Sequence, residues 1–484
     1  MSEKLSRRSF LRAAGFLGAG LAAALAGCQP KIVEVTKVVE KIVKETVIQE
    51  KEKEVIKEVT KEVVKKEVVK ETVVVEKAAA KPTAAPFQVV HWAEGYLYNA
   101  DAKFKPYQDA VIKSFKDKYP NATPKFVDMG WDEVLRQNLV TALLGGTAPD
   151  AIVGENFFQQ YADLGAMVAV DDQIQDIKDN LILGTYKAAI TKGKSYGINQ
   201  FTGIFGFERN PNVIKLAGLD PEKAPETWDD LLAQAQTITK AGNGKYFGYT
   251  LQGPVGFSVG GIFRVAVYLK QADAEMCKDD CVNPYFNSPN AEKVHTFLRA
   301  INKFTPPGLT FNPDEGQVYS QLFKGISAYQ ICGSWHVGWA KDSGLKNAMY
   351  SAIPFPKGGK KSSIVVGNVI NGVLTASKHI PEAIGLCKLF TEDPIQDMVN
   401  PILGRLPSTK SSLTKLKPNV DAATQAFVSD VLAADLGVLP QWRKDPQKLW
   451  QVYNDFLIKV LSTEEPIKSL MDEAQQNAEK AVKA

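Results

Sequence analysis

The chain has 484 residues, with 58 Lys or Arg against 54 Asp or Glu, 45% hydrophobic residues, 9% aromatic residues and five cysteines. That composition belongs to a soluble globular protein of more than one domain and excludes a disulfide scaffold, a collagen and a multi-span membrane protein. A formal charge of +4 over this length argues against a dedicated nucleic-acid binder unless the charge is concentrated in one place.

The charge is uneven. Lys4, Arg7, Arg8 and Arg12 precede an apolar run from Ala13 to Gly27, which is shorter than the ~20 residues a helix needs to span a bilayer. A basic head, a short apolar middle and small residues before a cleavage point make residues 1–27 a secretory signal peptide. The run Ser6 to Arg12, SRRSFLR, is similar to a twin-arginine export signal, and Leu25-Ala26-Gly27-Cys28 resembles a bacterial lipobox. In lipoproteins with this box the cysteine becomes the acylated N-terminus, so Cys28 is expected to be a membrane anchor. The alternative is an ordinary N-terminal helix with a chance cysteine.

Residues 28–86 then form an anchor and spacer. Lys31 to Lys77 consists of 12 Lys, 11 Glu, 15 Val, 4 Ile, 4 Thr and 1 Gln, too poor in large side chains for a globular core. Apolar clusters recur every 4 or 5 residues, closer to a helical period than to strand alternation, and interleaved Lys and Glu support a helix. The β-branched excess opposes one. The expectation is a helical or disordered spacer, either a frayed helix or a weak coiled coil, with a partner-binding coiled coil as the alternative. Ala78 to Pro86 is a flexible exit. After Lys77 there remain 42 basic and 42 acidic residues, so bulk charge gives the folded part no grip on nucleic acid.

From Phe87 onward strands alternate with amphipathic helices, which predicts an α/β fold with mainly parallel sheets. Phe87 to Trp92 reads as a first strand, Lys105 to Lys118 as a helix stopped at Pro120, Pro124 to Met129 as a second strand, Trp131 to Leu144 as a second helix and Ala151 to Val153 as a buried third strand. Ligands of open α/β sheets sit at the carboxyl ends of the strands, which brings Trp92, Glu94, Trp131, Glu155 and Asn156 to one edge.

Four further stretches carry a family resemblance. They are GTAPDAIVGENFFQQYADLGAMVAVDD (Gly145 to Asp172), YGINQFTGIFGFERNPNVIKLAGLDPEKAPETWDDLLAQAQ (Tyr196 to Gln236), LFKGISAYQICGSWHVGWA (Leu322 to Ala340) and SKHIPEAIGLCKLFTEDPIQDMVNPILGRLPS (Ser377 to Ser408). In this order they resemble the extracellular solute-binding proteins of ABC importers, the family that includes maltose-binding protein, over essentially all of residues 87–484. Phe207-Glu208-Arg209-Asn210 departs from the family's Tyr-Asn-Lys and reads as a tolerated change on a lobe surface.

The resemblance implies a two-lobed periplasmic-binding-protein type II fold: lobe 1 from residues 87–201 and 370–406, lobe 2 from 202–369 and 407–484. The lobes would be joined by strands crossing near Gln200 to Ile204 and Val366 to Gly372, with a mostly helical tail from about Pro407 packed on lobe 2. It also implies a cleft where aromatic rings stack on sugar rings and polar groups bond the hydroxyls, because a sugar has apolar faces and a hydroxylated rim. Trp335 falls on the Trp of the family's G-x-W loop and Trp450 on another stacking Trp. Glu155 and Asn156 fall at or beside its acidic sugar-bonding position. Trp92, Glu94 and Tyr96 sit in the first-strand loop, and Trp339 and Trp442 are further candidates against a core reading. Trp228, at a Pro-x-Thr-Trp helix start, reads as packing.

Catalytic readings are weaker. Gly256 to Gly260 fits G-x-S-x-G, with His295, His336 and His379 downstream, but Gly253-Pro254 interrupts the strand that a nucleophile elbow needs and no HGGG-type segment precedes it. Glu94 and Glu155 could serve a glycosidase, although a sugar-binding cleft needs carboxylates anyway. PKGGKKSS (Pro356 to Ser363) lacks the first glycine of a phosphate loop. No zinc-ligand spacing, cofactor motif or metal site is read. Cys277 and Cys281 flank a three-residue turn and are expected to form a disulfide clip in an exported protein, while Cys332 and Cys387 read as small buried residues.

The resulting expectation is a lipid-anchored, extracytoplasmic solute-binding protein on a bacterial membrane. It would be a monomer that captures a mono- or oligosaccharide and hands it to an ABC importer's permease subunits, without a cofactor and without catalysis. The rivals are a glycerol phosphoester or polyamine in the same cleft, and a secreted glycosidase.

Overall fold

The computed structural model describes residues 37–47, 59–69 and 85–483, apart from 131, 155–157, 255–259, 279–280, 367, 434–435, 438, 441 and 444–445. The signal sequence, Cys28, Trp131, Glu155, Asn156 and Ser258 lie outside the described residues. The chain divides into two compact units, Met1–Ala85 and Pro86–Ala484.

In the first unit, β1 (Lys37–Val47) pairs antiparallel with β2 (Val59–Val69) in a continuous register from Lys37 opposite Val69 to Val47 opposite Val59. This corrects the helical or disordered spacer. Nearly half of Lys31 to Lys77 is β-branched, and such residues lose rotamer freedom in a helix but fit a pleated strand. The register also sets Glu40 opposite Lys66, Lys44 opposite Glu62 and Glu45 opposite Lys61, with Lys41 opposite Lys65 between them.

The second unit contains, in chain order, the strands β3 (Phe87–Trp92), β4 (Ala122–Val127), β5 (Ala151–Gly154), β6 (Ile198–Thr202), β7 (Phe205–Arg209), β8 (Phe247–Thr250), β9 (Ser327–Gly333), β10 (Met349–Ser351), β11 (Val369–Val373) and β12 (Leu406–Pro407). A six-stranded sheet runs β12-β6-β11-β5-β3-β4 and a four-stranded sheet β8-β9-β7-β10. β3 is parallel to both neighbours and β8 is parallel to β9, while the remaining pairings are antiparallel. The expectation of mainly parallel sheets is thereby corrected. β6, β7 and β11 lead to or from the crossings between lobes, and their pairings with neighbouring strands run antiparallel.

Each sheet carries its own core. Around the larger one, α1 (Lys105–Lys118) buries Tyr107, Val111 and Phe115 at four-residue spacing, and these join Val89, Ile152, Phe158, Ile370 and Phe390. A short α2 (Phe158–Asp163) closes this layer. Around the smaller one, α3 (Trp228–Gly242) begins at a capping box between Thr227 and Asp230 and ends at Asn243 in the left-handed region. Trp228 is packing, stacked 4.4 Å from Phe297 with its indole N–H donating to the Pro354 carbonyl. α4 (Gly260–Gln271), α5 (Glu315–Phe323) and α6 (His336–Asp342) complete this side.

A third cluster forms where the chain crosses. β6 passes to β7 through Gly203 and Ile204, and Ile204 bridges Val365 on the returning segment. After α7 (Asp393–Leu403) and β12, α8 (Lys410–Leu416) and α9 (Ala422–Ala433) place Leu413, Phe427 and Val428 against Ile204, Val365 and Leu406. Only α10 (Pro446–Ser462) and α11 (Ile467–Lys483) pack into the core of the smaller sheet. The tail therefore divides: its first half covers the crossing, because apolar side chains there would otherwise face water, and its second half seals lobe 2.

The crossing segments touch backbone to backbone. Val366 N–H donates to the Gly203 carbonyl at 3.0 Å, and a Cβ on Gly203 would stand 2.5 Å from the Val366 carbonyl oxygen. Replacing Gly203 with Ala is expected to force the segments apart and to destabilise the protein by about 1–3 kcal/mol, read as a lower denaturant midpoint.

Candidate functional site

A cavity of about 420 Å³ opens beside this crossing, within the size range of small-ligand sites. The larger sheet contributes Glu94 and Tyr96 from the loop after β3, Phe201 from β6 and Arg405 from the turn before β12. The smaller one contributes Phe205, Phe263 and Arg264 on α4, Glu315 and Tyr319 on α5, and Trp335 and Trp339 around the start of α6. With Phe104, eight aromatic rings face a space framed by two acids and two arginines.

Trp335 is seated by glycine. A Cβ on Gly333 would lie 2.3 Å from indole ring atoms and one on Gly203 would lie 3.1 Å away, so the ring rests on bare backbone. Arg405 lies over the indole, its guanidinium carbon 4.5 Å from the ring centroid, while its Nε donates to the Tyr96 hydroxyl at 3.0 Å. Trp339, 43% exposed, stacks on His336 at 5.1 Å.

His336 belongs to a buried network under this wall. Its Nδ1 lies 3.1 Å from Glu208 Oε2, to which Gln330 also donates at 2.7 Å, and the Tyr350 hydroxyl donates to Oε1 at 2.8 Å. Glu208 is fully buried, which corrects its reading as a lobe-surface residue: a carboxylate on an inward strand position is tolerated because three partners converge on it. Among the described residues, Glu208, Cys332 and His336 are also the group close enough to hold a metal ion. The carboxylate's existing partners account for it as a structural hub that fixes the start of α6.

On the opposite wall Glu94 is 5% exposed. Its Oε2 accepts from Tyr96 N–H at 2.8 Å and its Oε1 from Gln200 at 3.3 Å. Gln200 also donates to the Tyr107 hydroxyl and accepts from Asn371. Burial pushes the Glu94 carboxyl up to about 7, against the opposing pull of the Tyr96 amide, Arg405 and Gln200. Arg264, buried, sits between the rings of Phe205 and Tyr319 at 5.1 and 4.7 Å and pairs with Glu315 at 3.5 Å.

Trp335, Trp339, Glu94 and Tyr96 thus come together. Trp92 does not join them; it lies in the core of the larger sheet. Trp442 is buried beside Phe286, and Trp450 packs half-buried against Trp442 at 5.8 Å, so both fill the core of lobe 2 and are absent from the cavity wall. Sequence reasoning missed Arg405, Arg264, Glu315, Tyr319 and the three phenylalanines Phe201, Phe205 and Phe263. Arg405 was within reach, because it is the first variable position of the G-x-x-P run at Gly404 to Pro407.

A second cavity, about 640 Å³, has no aromatic lining among the described residues. Three of its cations are engaged: Arg443 binds Asp163 through both Nε and Nη2 at 3.0 Å, Lys192 approaches the same carboxylate at 3.0 Å, and Lys360 pairs with Asp273 at 2.8 Å. Arg443 N–H also donates to the Cys281 carbonyl. Cys281 and Cys277 are joined as a disulfide, their Cα atoms 4.9 Å apart, and Cys332 and Cys387 are unpaired and buried. For a ligand with apolar ring faces the smaller, aromatic cavity is the better host.

A family model described as bacterial extracellular solute-binding protein matches residues 98–397. An arabinooligosaccharide-binding protein of Halalkalibacterium halodurans is 28% identical over 144 residues, 28% of this chain and 31% of that relative's length. A solute-binding protein of Thermotoga lettingae bound to α-D-tagatose superposes with a TM-score of 0.68 at 20% identity, over 82% of this chain and 99% of that one. The cyclic α-maltosyl-1,6-maltose binding protein of Arthrobacter globiformis gives 0.67 at 20% identity, over 82% and 100%. The sugar-binding protein MalE of Xanthomonas citri gives 0.68 at 16% identity, over 82% and 98%. At these identities the structural likenesses establish the two-lobed fold.

Because burial favours the protonated Glu94 carboxyl, the native state holds a proton there that the unfolded chain has released, and stability falls as pH rises from about 4.5 to about 7. Glu94→Gln removes this loss. Its stability relative to the parent protein is expected to increase by up to about 3 kcal/mol between pH 5 and pH 8, measured by denaturant unfolding at both pH values.

Proposed function

Because the chain belongs to the bacterial extracellular solute-binding protein family, we propose that it captures a carbohydrate between its two lobes and delivers it to the permease of an ABC importer. The observation that carries this reading is the aromatic cavity: Trp335 seated on Gly203 and Gly333, with Trp339 and Tyr319 beside it and fixed donors and acceptors at the rim. Ring faces suit the apolar faces of a sugar, and a buried hydroxyl left unpaired costs about 1–3 kcal/mol, which gives discrimination.

The lobes, drawn as residues 87–201 with 370–406 and 202–369 with 407–484, close about the crossing segments by hinge motion. The chain is exported through its twin-arginine-like signal, anchored at Cys28 by lipid on the outer face of the membrane, and held off it by the β1–β2 spacer, acting as a monomer. A relative that binds an arabinooligosaccharide and neighbours of the same fold that bind tagatose and maltose-type sugars support a sugar ligand. A polyamine would call for several uncommitted acids, whereas Glu315 is paired with Arg264 and Glu94 is buried.

The purified protein is expected to show a saturable rise in melting temperature with a mono- or oligosaccharide from a ligand panel, and no turnover. Steady product formation would replace this reading by a glycosidase. Trp335→Ala and Trp339→Ala are each expected to weaken binding about tenfold or more, about 1.4 kcal/mol, by calorimetry. Unchanged affinity in both would remove the stacking assignment.

A further inference from the structure

Arg405 is the cavity group whose bonding is least complete. It follows Gly404, which takes a φ of 65° at the end of α7, and its guanidinium lies among Trp335, Phe201 and Tyr96, 4.5, 5.7 and 5.8 Å from their ring centroids. A guanidinium offers five N–H donors in a planar fork. Here Nε is used by the Tyr96 hydroxyl, whereas Nη1 is buried with no hydrogen-bond partner among the described residues.

Its charge is no better matched. Glu315 pairs with Arg264. Glu94 directs its oxygens to Tyr96 N–H and Gln200 and makes no ion pair with Arg405, and burial holds its carboxyl up to about 7, so near neutral pH it is only a partial counter-charge. The cavity therefore holds two permanent cations, one committed carboxylate and one weak one.

Resting on the sugar reading, we propose that the solute is an acidic sugar, a uronate whose ring lies on the aromatic wall and whose carboxylate pairs with the guanidinium of Arg405. A carboxylate accepts a charge-assisted bond about twice as strong as a neutral one, and the planar guanidinium suits it. A neutral hydroxyl could fill one donor but would leave the charge unmatched. A phosphate ester, at about −1.5 to −2, would bring more charge than one uncommitted arginine beside Glu94 offsets.

The test is calorimetry at pH 7 on the full exported protein, with uronates and neutral sugars paired by configuration: galacturonate with galactose, and glucuronate with glucose, as free sugars and as disaccharides. At least one uronate is expected to bind about tenfold or more tightly than its neutral counterpart. Arg405→Gln is expected to erase that ratio and Arg405→Lys to keep part of it, so that selectivity is what moves and a general loss of folding is told apart. A neutral sugar that binds as tightly as its uronate, an unchanged ratio in Arg405→Gln, or tighter binding of glucose 6-phosphate would each overturn the proposal while leaving a sugar-binding protein. If no saccharide, charged or neutral, binds the parent protein, the sugar reading itself falls and the proposal falls with it.

Discussion

The second unit depends on the backbone contact between its two crossing segments. Two cores built on separate sheets have no reason to keep a fixed relation unless the chain between them is constrained. Here the constraint is close: Gly203 against Val366, Ile204 bridged to Val365, and Leu413 and Phe427 covering them. Only a residue without a Cβ allows the approach, and the same glycine supports the Trp335 indole. The crossing therefore also shapes the wall of the aromatic cavity.

Around that seat the cavity reconciles two demands. Ring faces need apolar walls, yet a polar solute needs donors and acceptors that are not free to satisfy one another. The lining meets this by placing charge against aromatic rings: Arg264 between Phe205 and Tyr319, and Arg405 over Trp335. A guanidinium on a ring gives up part of its hydration while keeping its in-plane donors. Behind the wall, the buried Glu208 network and the Gln200 relay hold these groups in position, as preorganised sites require.

Much of the fold was legible in the sequence because local rules and global packing agree. The helix start at Thr227-Trp228, the helix from Lys105 to Lys118 and the first three strands all appear where pattern places them. Strand direction was less legible, since it is set by which strands lead to the crossings. The site was legible in part. Trp335, Trp339 and Glu94 line the aromatic cavity, but sequence shows that an indole is present and not which face of it is already taken. Trp92, Trp442 and Trp450 are held by their lobe cores. The Gly404 to Pro407 run marks the position of Arg405, but its surroundings come from neighbours about 70 and 310 residues away in the chain, Trp335 and Tyr96. Glu208 misled because its three partners come from β9, β10 and α6. The spacer shows the limit of periodicity: a repeat of Lys, Glu and Val suits helix or ribbon, and β-branching decides.

The ion pair between Asp163 and Arg443 joins an element of the larger sheet to the tail segment whose Trp442 is buried in the smaller lobe, and Lys192 shares the same carboxylate. Both groups are partly buried and in direct contact, so dissolved ions screen this pair less than they would an exposed one, the Debye length being about 8 Å at physiological ionic strength and about 3 Å at 1 M. Cation–ring contacts and glycine-seated backbone are far less sensitive to ions. The two lobes are therefore tied by charge as well as by backbone, and of the two ties the charged one is the one that dissolved salt can reach.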